Sequence, residues 1–484
     1  MRILLINPPH SAIGSRLAGE HLPPLGLLSI GGPLIDQGHT VMLLDADFKP
    51  MEFVDIIDQA LAYQPDLILL GHSGSTSAQP VISKITKQLR QRNSKIKIII
   101  GGVFPTYHWK EILETDPQID IIVCGEGEET IVNVVKAIEN NISLELVKGI
   151  AFHINQTIIK TPPASIIRNL DAYRIGWELM ESYHYTYWGR KKAVVVQFSR
   201  GCPYPCSYCG QSLFWQRWRH RDPQQFADEI EMLHNKYQIE LFNFADENPA
   251  TNQKAWKAFL EALIKKNLNI TLVGSIRADN VVRDAEYLHL YKQAGFERFL
   301  LGIENYDSTI LEKIKKEGSM NKDKEAIQLL RKNNILSMAT YVIGFGEETF
   351  KDLLNSFKQL LDYDPDQIQL LYVTPHKWTP YFEEVKHKNI IQLDQQKWDY
   401  KHQILEMKHL RSWQLLICVK LIEVCIQMRP KALKRLFFHK DVKLRAAMRW
   451  YTNIGRRVWF HELFEFFFNR KRQSSNITLD TFWK

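Results

Sequence analysis

Three cysteines spaced C-x3-C-x2-C, Cys202, Cys206 and Cys209, follow directly on the apolar run 193–198. A buried strand that empties into such a loop constrains the fold around it, because the thiolates must meet an inorganic group at the strand's carboxyl end. Three thiolates hold three irons of a cubane 4Fe-4S cluster and leave the fourth iron open, whereas electron carriers close all four positions with cysteine. An open iron implies a ligand that reacts. A zinc knuckle is the competing reading, but zinc takes four ligands, usually as C-x2-C pairs, and no second pair exists. Cys124, Cys418 and Cys425 are scattered, so the cysteines form no disulfide framework and a reducing cytoplasm is expected.

The 484 residues suffice for two or three domains. Composition, 45% hydrophobic and 24% charged, is that of a folded soluble protein. Met1 leads straight into an apolar strand, with no signal peptide expected. The most apolar later stretch, 415–426, is short and interrupted by Lys420 and Glu423, so no bilayer crossing is expected.

Residues 1–150 alternate strand and helix. Short buried strands are expected at 3–7, 40–45, 66–71, 95–101 and 119–124, which predicts an α/β, doubly wound, Rossmann-like parallel sheet. Ligands of such sheets sit at the carboxyl ends of the strands. Those ends carry His10, Ser73, Gly101 with Gly102, and Glu126 with Gly127. A linker is expected over 151–192. Six further strands, at 193–198, 240–245, 270–275, 298–302, 336–343 and 367–373, predict a partial (β/α)6 barrel over 193–374. Barrel chemistry gathers at strand carboxyl ends. There stand Asp246 and Glu247, Arg277, Glu304, and Gly344 with Gly346.

The cysteine spacing, with Tyr208 before the third cysteine, resembles that of the radical S-adenosylmethionine (SAM) enzymes. The resemblance implies that SAM chelates the open iron and is cleaved to a 5'-deoxyadenosyl radical. It places Asp246 and Glu247 near the ammonium of SAM, Glu304 near its amino group or ribose, and Arg277 near its carboxylate or in a salt-bridged floor. Tyr208 and the Gly344–Gly346 turn would meet the adenine. The first lobe is similar to the cobalamin-binding domain of one branch of this family, with the Ser73 and Gly101-Gly102 turns bordering the nucleotide tail. The D-x-H-x-x-G signature is missing: an aspartate stands at Asp47 where the histidine would be, and around His10 the pattern fails as well. Cobalamin without a histidine ligand is therefore expected.

From Asn7-Pro8-Pro9-His10 through Ser199-Arg200-Gly201-Cys202 and Thr374-Pro375-His376 to Arg456-Arg457-Val458-Trp459, nearly the whole chain resembles the anaerobic magnesium-protoporphyrin ester cyclases of bacteriochlorophyll synthesis. What this implies is an oxygen-independent oxidative cyclisation that forms ring E. It also implies a magnesium porphyrin substrate and a low-potential electron donor such as ferredoxin or flavodoxin. A mostly helical tail, 375–484, would cap the barrel, with His376, Trp378, His402 and His461 as candidate substrate contacts. A cobalamin-dependent methyltransferase and a noncatalytic tetrapyrrole or cobalamin carrier are the alternatives.

The net charge of +8 is uneven. Residues 401–484 hold 18 Lys and Arg against 6 Asp and Glu, so the 400 residues before them are net negative. Interleaved with Trp413, Trp450, Trp459 and 466–468, this basic tail suits a flat anionic ligand or an anionic lipid surface at the membrane periphery better than nucleic acid. A solvated helical face over an ordinary core is the plainer reading.

Overall fold

The computed structural model describes residues 1–9, 20–49, 51–71, 76–155, 157–316, 320–469 and 476–483. His10 and Ser73 lie outside the described residues. Two parallel sheets organise the chain. The first contains β1 (Arg2–Asn7), β2 (Thr40–Asp45), β3 (Leu67–Gly71), β4 (Lys97–Gly101) and β5 (Ile121–Val123), then β6 (Ile150–Ile154) and β7 (Thr157–Lys160). Its order is β2-β1-β3-β4-β5-β6-β7. The first five strands are parallel, and their near-continuous Ile and Leu runs follow from helices covering both faces. The last two strands add on antiparallel, carrying the sheet past residue 150. Their alternation is too short for a sequence reading to separate from loop.

The linker then forms β8 (Thr186–Tyr187), an antiparallel edge of the second sheet. The remaining strands are β9 (Lys191–Val196), β10 (Ser199–Arg200), β11 (Arg219–His220), β12 (Leu241–Phe244), β13 (Thr271–Ser275), β14 (Phe296–Glu304), β15 (Leu336–Ile343) and β16 (Gln367–Tyr372). Six run parallel in the order β16-β15-β14-β13-β12-β9, and β10 with β11 forms a separate small hairpin. This open, curled half-barrel is what six strand–helix repeats predict. Phe226, Trp256, Phe259 and Phe296 fill its core.

The tail carries a short helix at Pro380–Val385, is otherwise largely irregular to residue 411, and is helical at Ser412–Met428, Pro430–Phe438 and Val442–Phe464. Ion pairs fasten it to the barrel. Arg429 and Arg435 reach Asp364 at 2.6 and 2.8 Å, and the two guanidiniums hold that carboxyl down at about 2 against the opposing pull of burial. At the other end, Glu20 accepts hydrogen bonds from the backbone of Trp188, Gly189 and Arg190 and from the Trp450 indole. One carboxylate thus ties the N-terminal lobe, the linker and the tail together.

Candidate functional site

The cysteine loop starts where β9 ends, and its path is set by a buried carboxylate. Asp246, after β12, accepts hydrogen bonds from the backbone of Phe198 and Ser199 and from the Ser199 hydroxyl. Burial pushes its carboxyl up to about 7 against the pull of those donors. Gly201 then turns with φ +90°, and a side chain there would come within 2.8 Å of the Arg217 carbonyl, so only glycine fits. Beyond it Tyr204 stacks on Arg277, whose guanidinium carbon lies 3.4 Å from the ring centroid. Arg277 pairs with Asp279 at 3.0 Å, and the Tyr204 hydroxyl donates to the same carboxylate at 2.9 Å. Of the two roles expected for Arg277, the side chain is engaged in the salt-bridged floor.

The three thiols are partly buried and form no disulfide. Burial raises the Cys202 thiol and pushes Cys206 up to about 11, and Cys209 adds a like charge to both. Arg277 pulls both down and Lys316 also pulls on Cys206. A metal displaces the proton from such a thiol on binding. Among the described residues no three donors are close enough to share a single ion; a cubane asks for one thiolate on each of three irons.

Around this loop stand the carboxyl-end residues of the barrel. Glu247 accepts the Trp215 indole N–H at 2.8 Å through Oε1, while its buried Oε2 has no hydrogen-bond partner. Burial raises its carboxyl, and its charge reaches Cys202. The neighbouring Asn248 amide is wholly buried with both polar atoms unpartnered. Buried polar groups are ordinarily satisfied, so this pair marks a place for a ligand. Glu304 sits at the end of β14 with φ +69° and a cation, Lys316, 3.6 Å away. Tyr208 is half-buried beside it, and the loss of solvent together with Glu304 holds its phenol well above the usual range. In the turn after β15, the amides of Gly344, Phe345 and Gly346 all donate to Glu348, at 2.8 to 3.0 Å. Their N–H groups are thereby satisfied within the turn, leaving the Phe345 ring, set edge-on to Tyr381 in the cluster that Tyr208 also joins, as its contact surface.

On the first lobe, Gly101 ends β4 and Gly102 follows with φ +119°, a backbone that glycine alone adopts without strain. Asp45 is saturated by Asn7, Tyr185 and local backbone. Glu126 takes Arg200 at 3.0 Å and Arg219 at 2.8 Å, with Glu128 completing the cluster on Arg200. It therefore belongs to the joint between the lobes, and Gly127 opens the helix behind it.

Residues 13–135 match the B12 binding domain family and residues 196–360 the radical SAM superfamily. The anaerobic magnesium-protoporphyrin IX monomethyl ester cyclase of Synechocystis sp. is 54% identical over 483 residues, covering 100% of this chain and 97% of its own length. The chain belongs to this cyclase family. The enzyme of the same name from Rubrivivax gelatinosus is 32% identical over 80% of this chain and 70% of its own. A solved structure of OxsB, a cobalamin-dependent SAM radical enzyme with aqua-cobalamin and SAM bound, has a TM-score of 0.70 at 17% identity, covering 95% of this chain and 72% of that one. It shows the shared fold.

The cyclase-family cofactors are a 4Fe-4S cluster, SAM and cobalamin. The donor set fits them: three thiols around one loop, a bare carboxylate oxygen and unpartnered amide beside it, and a glycine-lined strand end on the facing lobe. Sequence reading missed the aromatic bridge that the cyclase tail builds between the two lobes. The Trp378 indole donates to the Gly210 carbonyl at 2.9 Å and stacks on Tyr107 of the first lobe at 5.3 Å. His376 hydrogen-bonds Tyr400 at 2.7 Å and Thr76 at 3.3 Å. Burial drives this imidazole down to about 3, so it is neutral. His376 and Trp378 are thus occupied inside the bridge. His402 lies between Asp399 and Glu465, at 2.9 and 3.2 Å, and His461 is exposed on the last long helix. The available signal was the closeness of His376, Trp378, Tyr381 and Phe382 along the chain just past the last barrel strand.

Proposed function

We propose that the chain catalyses the oxygen-independent oxidative cyclisation of magnesium-protoporphyrin IX 13-monomethyl ester to protochlorophyllide, closing ring E with a keto oxygen taken from water. The observation that carries this reading is the extent of the likeness: 54% identity runs through the tail as well as both lobes. When bound, the cluster and SAM supply a 5'-deoxyadenosyl radical, the species able to remove hydrogen from the propionate carbon nearest the macrocycle. The chain's residues position it. Glu247 Oε2 would accept a hydrogen bond from the amino group of SAM, the Tyr204–Arg277–Asp279 floor holds the cysteine loop, and Phe345 with Tyr208 would face the adenine. Gly101 and Gly102 border the cobalamin. Beside the mouth, Tyr372, Leu416 and Phe466 line a hollow between barrel and tail, an apolar wall for a flat ring, with Lys401 and His402 standing beside Glu462 and Glu465. A low-potential donor such as ferredoxin or flavodoxin delivers the starting electron, and SAM serves as the oxidant: three equivalents, each leaving as 5'-deoxyadenosine and methionine, account for the six electrons that the substrate and one water give up.

Anaerobic incubation of reduced, reconstituted protein with SAM, cobalamin and the porphyrin ester in oxygen-18 water is the test. A pigment that has lost four hydrogens and gained one labelled oxygen supports the reading. A product gaining a methyl group, with S-adenosylhomocysteine formed, would assign the site to methyl transfer instead. Cys206→Ala should abolish both deoxyadenosine and pigment; retained function would point to a carrier.

A further inference from the structure

The outer surface of the tail has no part in the site. Among the described residues, nineteen large hydrophobic side chains stand in solvent, and eleven of them lie between Trp413 and Phe468. The helix Val442–Phe464 shows how they are arranged. Its inner side, with Leu444, Ala447 and Met448, packs against Ala193, Leu241, Val273 and Leu336 of the barrel. Its opposite side carries Arg449, Arg456, Phe460 and Phe464 at helical spacing, with Arg457 beside them. Phe460 is 61% and Phe464 58% exposed. Phe464 stacks on Phe468 at 4.9 Å, which carries the aromatic row beyond the helix. Arg449 lies over Phe437 at 5.8 Å, which extends it the other way. Burying a phenylalanine is worth about 2 to 3 kcal/mol, and an outward row of them marks a surface that something covers.

Charge decides what covers it. Residues 430–468 hold nine Lys and Arg against three acids. All three acids are engaged locally: Asp441 caps its helix, Glu462 pairs with Lys420, and Glu465 pairs with Lys397 and His402. Lys431, Lys434, Arg456 and Arg457 are exposed. A second copy of the chain docked face to face would set these cations against one another. A polyanion without apolar depth would leave the phenylalanines in water. An anionic bilayer satisfies both, with acyl chains for the rings and phosphates for the guanidiniums.

We propose that this strip docks the protein on an anionic lipid surface, with Phe460, Phe464 and Phe468 entering below the headgroups and Arg456 and Arg457 holding phosphates. Among the described residues no helix is long and apolar enough to cross a membrane, so the contact is peripheral. The inference is independent of the porphyrin reading. Flotation of the full chain, cluster loaded, with vesicles of phosphatidylglycerol and phosphatidylcholine tests it. The protein should float with the mixed vesicles, release with salt, and stay behind with phosphatidylcholine alone. The pairs Phe460→Ser with Phe464→Ser, and Arg456→Gln with Arg457→Gln, should each weaken binding about tenfold or more. Because all four side chains are exposed, melting temperature and cluster absorbance should not move. Absence of flotation, unchanged flotation of both pairs, or a wild-type dimer that the phenylalanine pair turns into monomer would overturn the proposal.

Discussion

Glu247 holds the Trp215 indole with one oxygen and leaves the other buried and bare. A charge-assisted hydrogen bond contributes about 1.5 to 3 kcal/mol. Glu247→Gln, which keeps the shape and the indole bond, should therefore weaken SAM binding about 10- to 100-fold while the cluster's electron paramagnetic resonance signal stays intact. Equilibrium binding measured with the cluster left oxidised, so that SAM is not cleaved, checks this. Asp246→Ala should act earlier, since it strips three donors of their buried acceptor; lower iron content after reconstitution is the expected readout. The roles of these neighbours were not legible in sequence. Asp246-Glu247 reads as a carboxylate pair aimed at one ligand, yet the backbone of Phe198 and Ser199 captures the first and leaves the second. Nothing local in the chain announces that division, because the capturing groups lie 47 and 48 residues away.

At the scale of elements, the irregular segment before the tail helices is held by His402. Asp399 and Glu465 overcome burial and raise its imidazole to about 9, so it is a cation at neutral pH. Lys397, Lys401 and Glu462 line the same hollow between barrel and tail. A group whose folded pKa is raised contributes stability that is complete below its unfolded value, about 6.5, and is lost as pH rises through about 9. The contribution is at most about 3 kcal/mol. Melting temperature should fall between neutral pH and pH 10 in the native chain, and His402→Asn should remove the part of that slope due to the imidazole. The strands and helices themselves were readable: all eleven expected strands are present, because short runs of buried Ile, Leu, Val and Phe between helical segments admit little else. β6, β7, β8, β10 and β11 escaped because short antiparallel strands carry no such pattern.

At the scale of the whole molecule, the lobes are joined by charge. Arg200, one residue before the loop's first turn, is buried between Glu126 and Glu128. Arg200→Ala would leave the buried Glu128 without its cation while Glu126 keeps Arg219, a loss of about 3 to 5 kcal/mol. Earlier melting, with faster proteolysis of the 161–185 linker, is the expected outcome; cleavage unchanged from the native chain would show that the joint does not depend on this pair. The sequence by itself determined the two sheets, the strand ends that carry chemistry and the three thiols, since each follows from local periodicity or spacing along the chain. Only the tertiary structure decided that Glu126 serves the joint, that Arg277 braces Tyr204, and that Trp378 and His376 span the lobes. Those partners are separated by 73 to 300 residues, and the pairing of distant polar groups is fixed by which surfaces the packed sheets bring within reach, a property no segment holds alone.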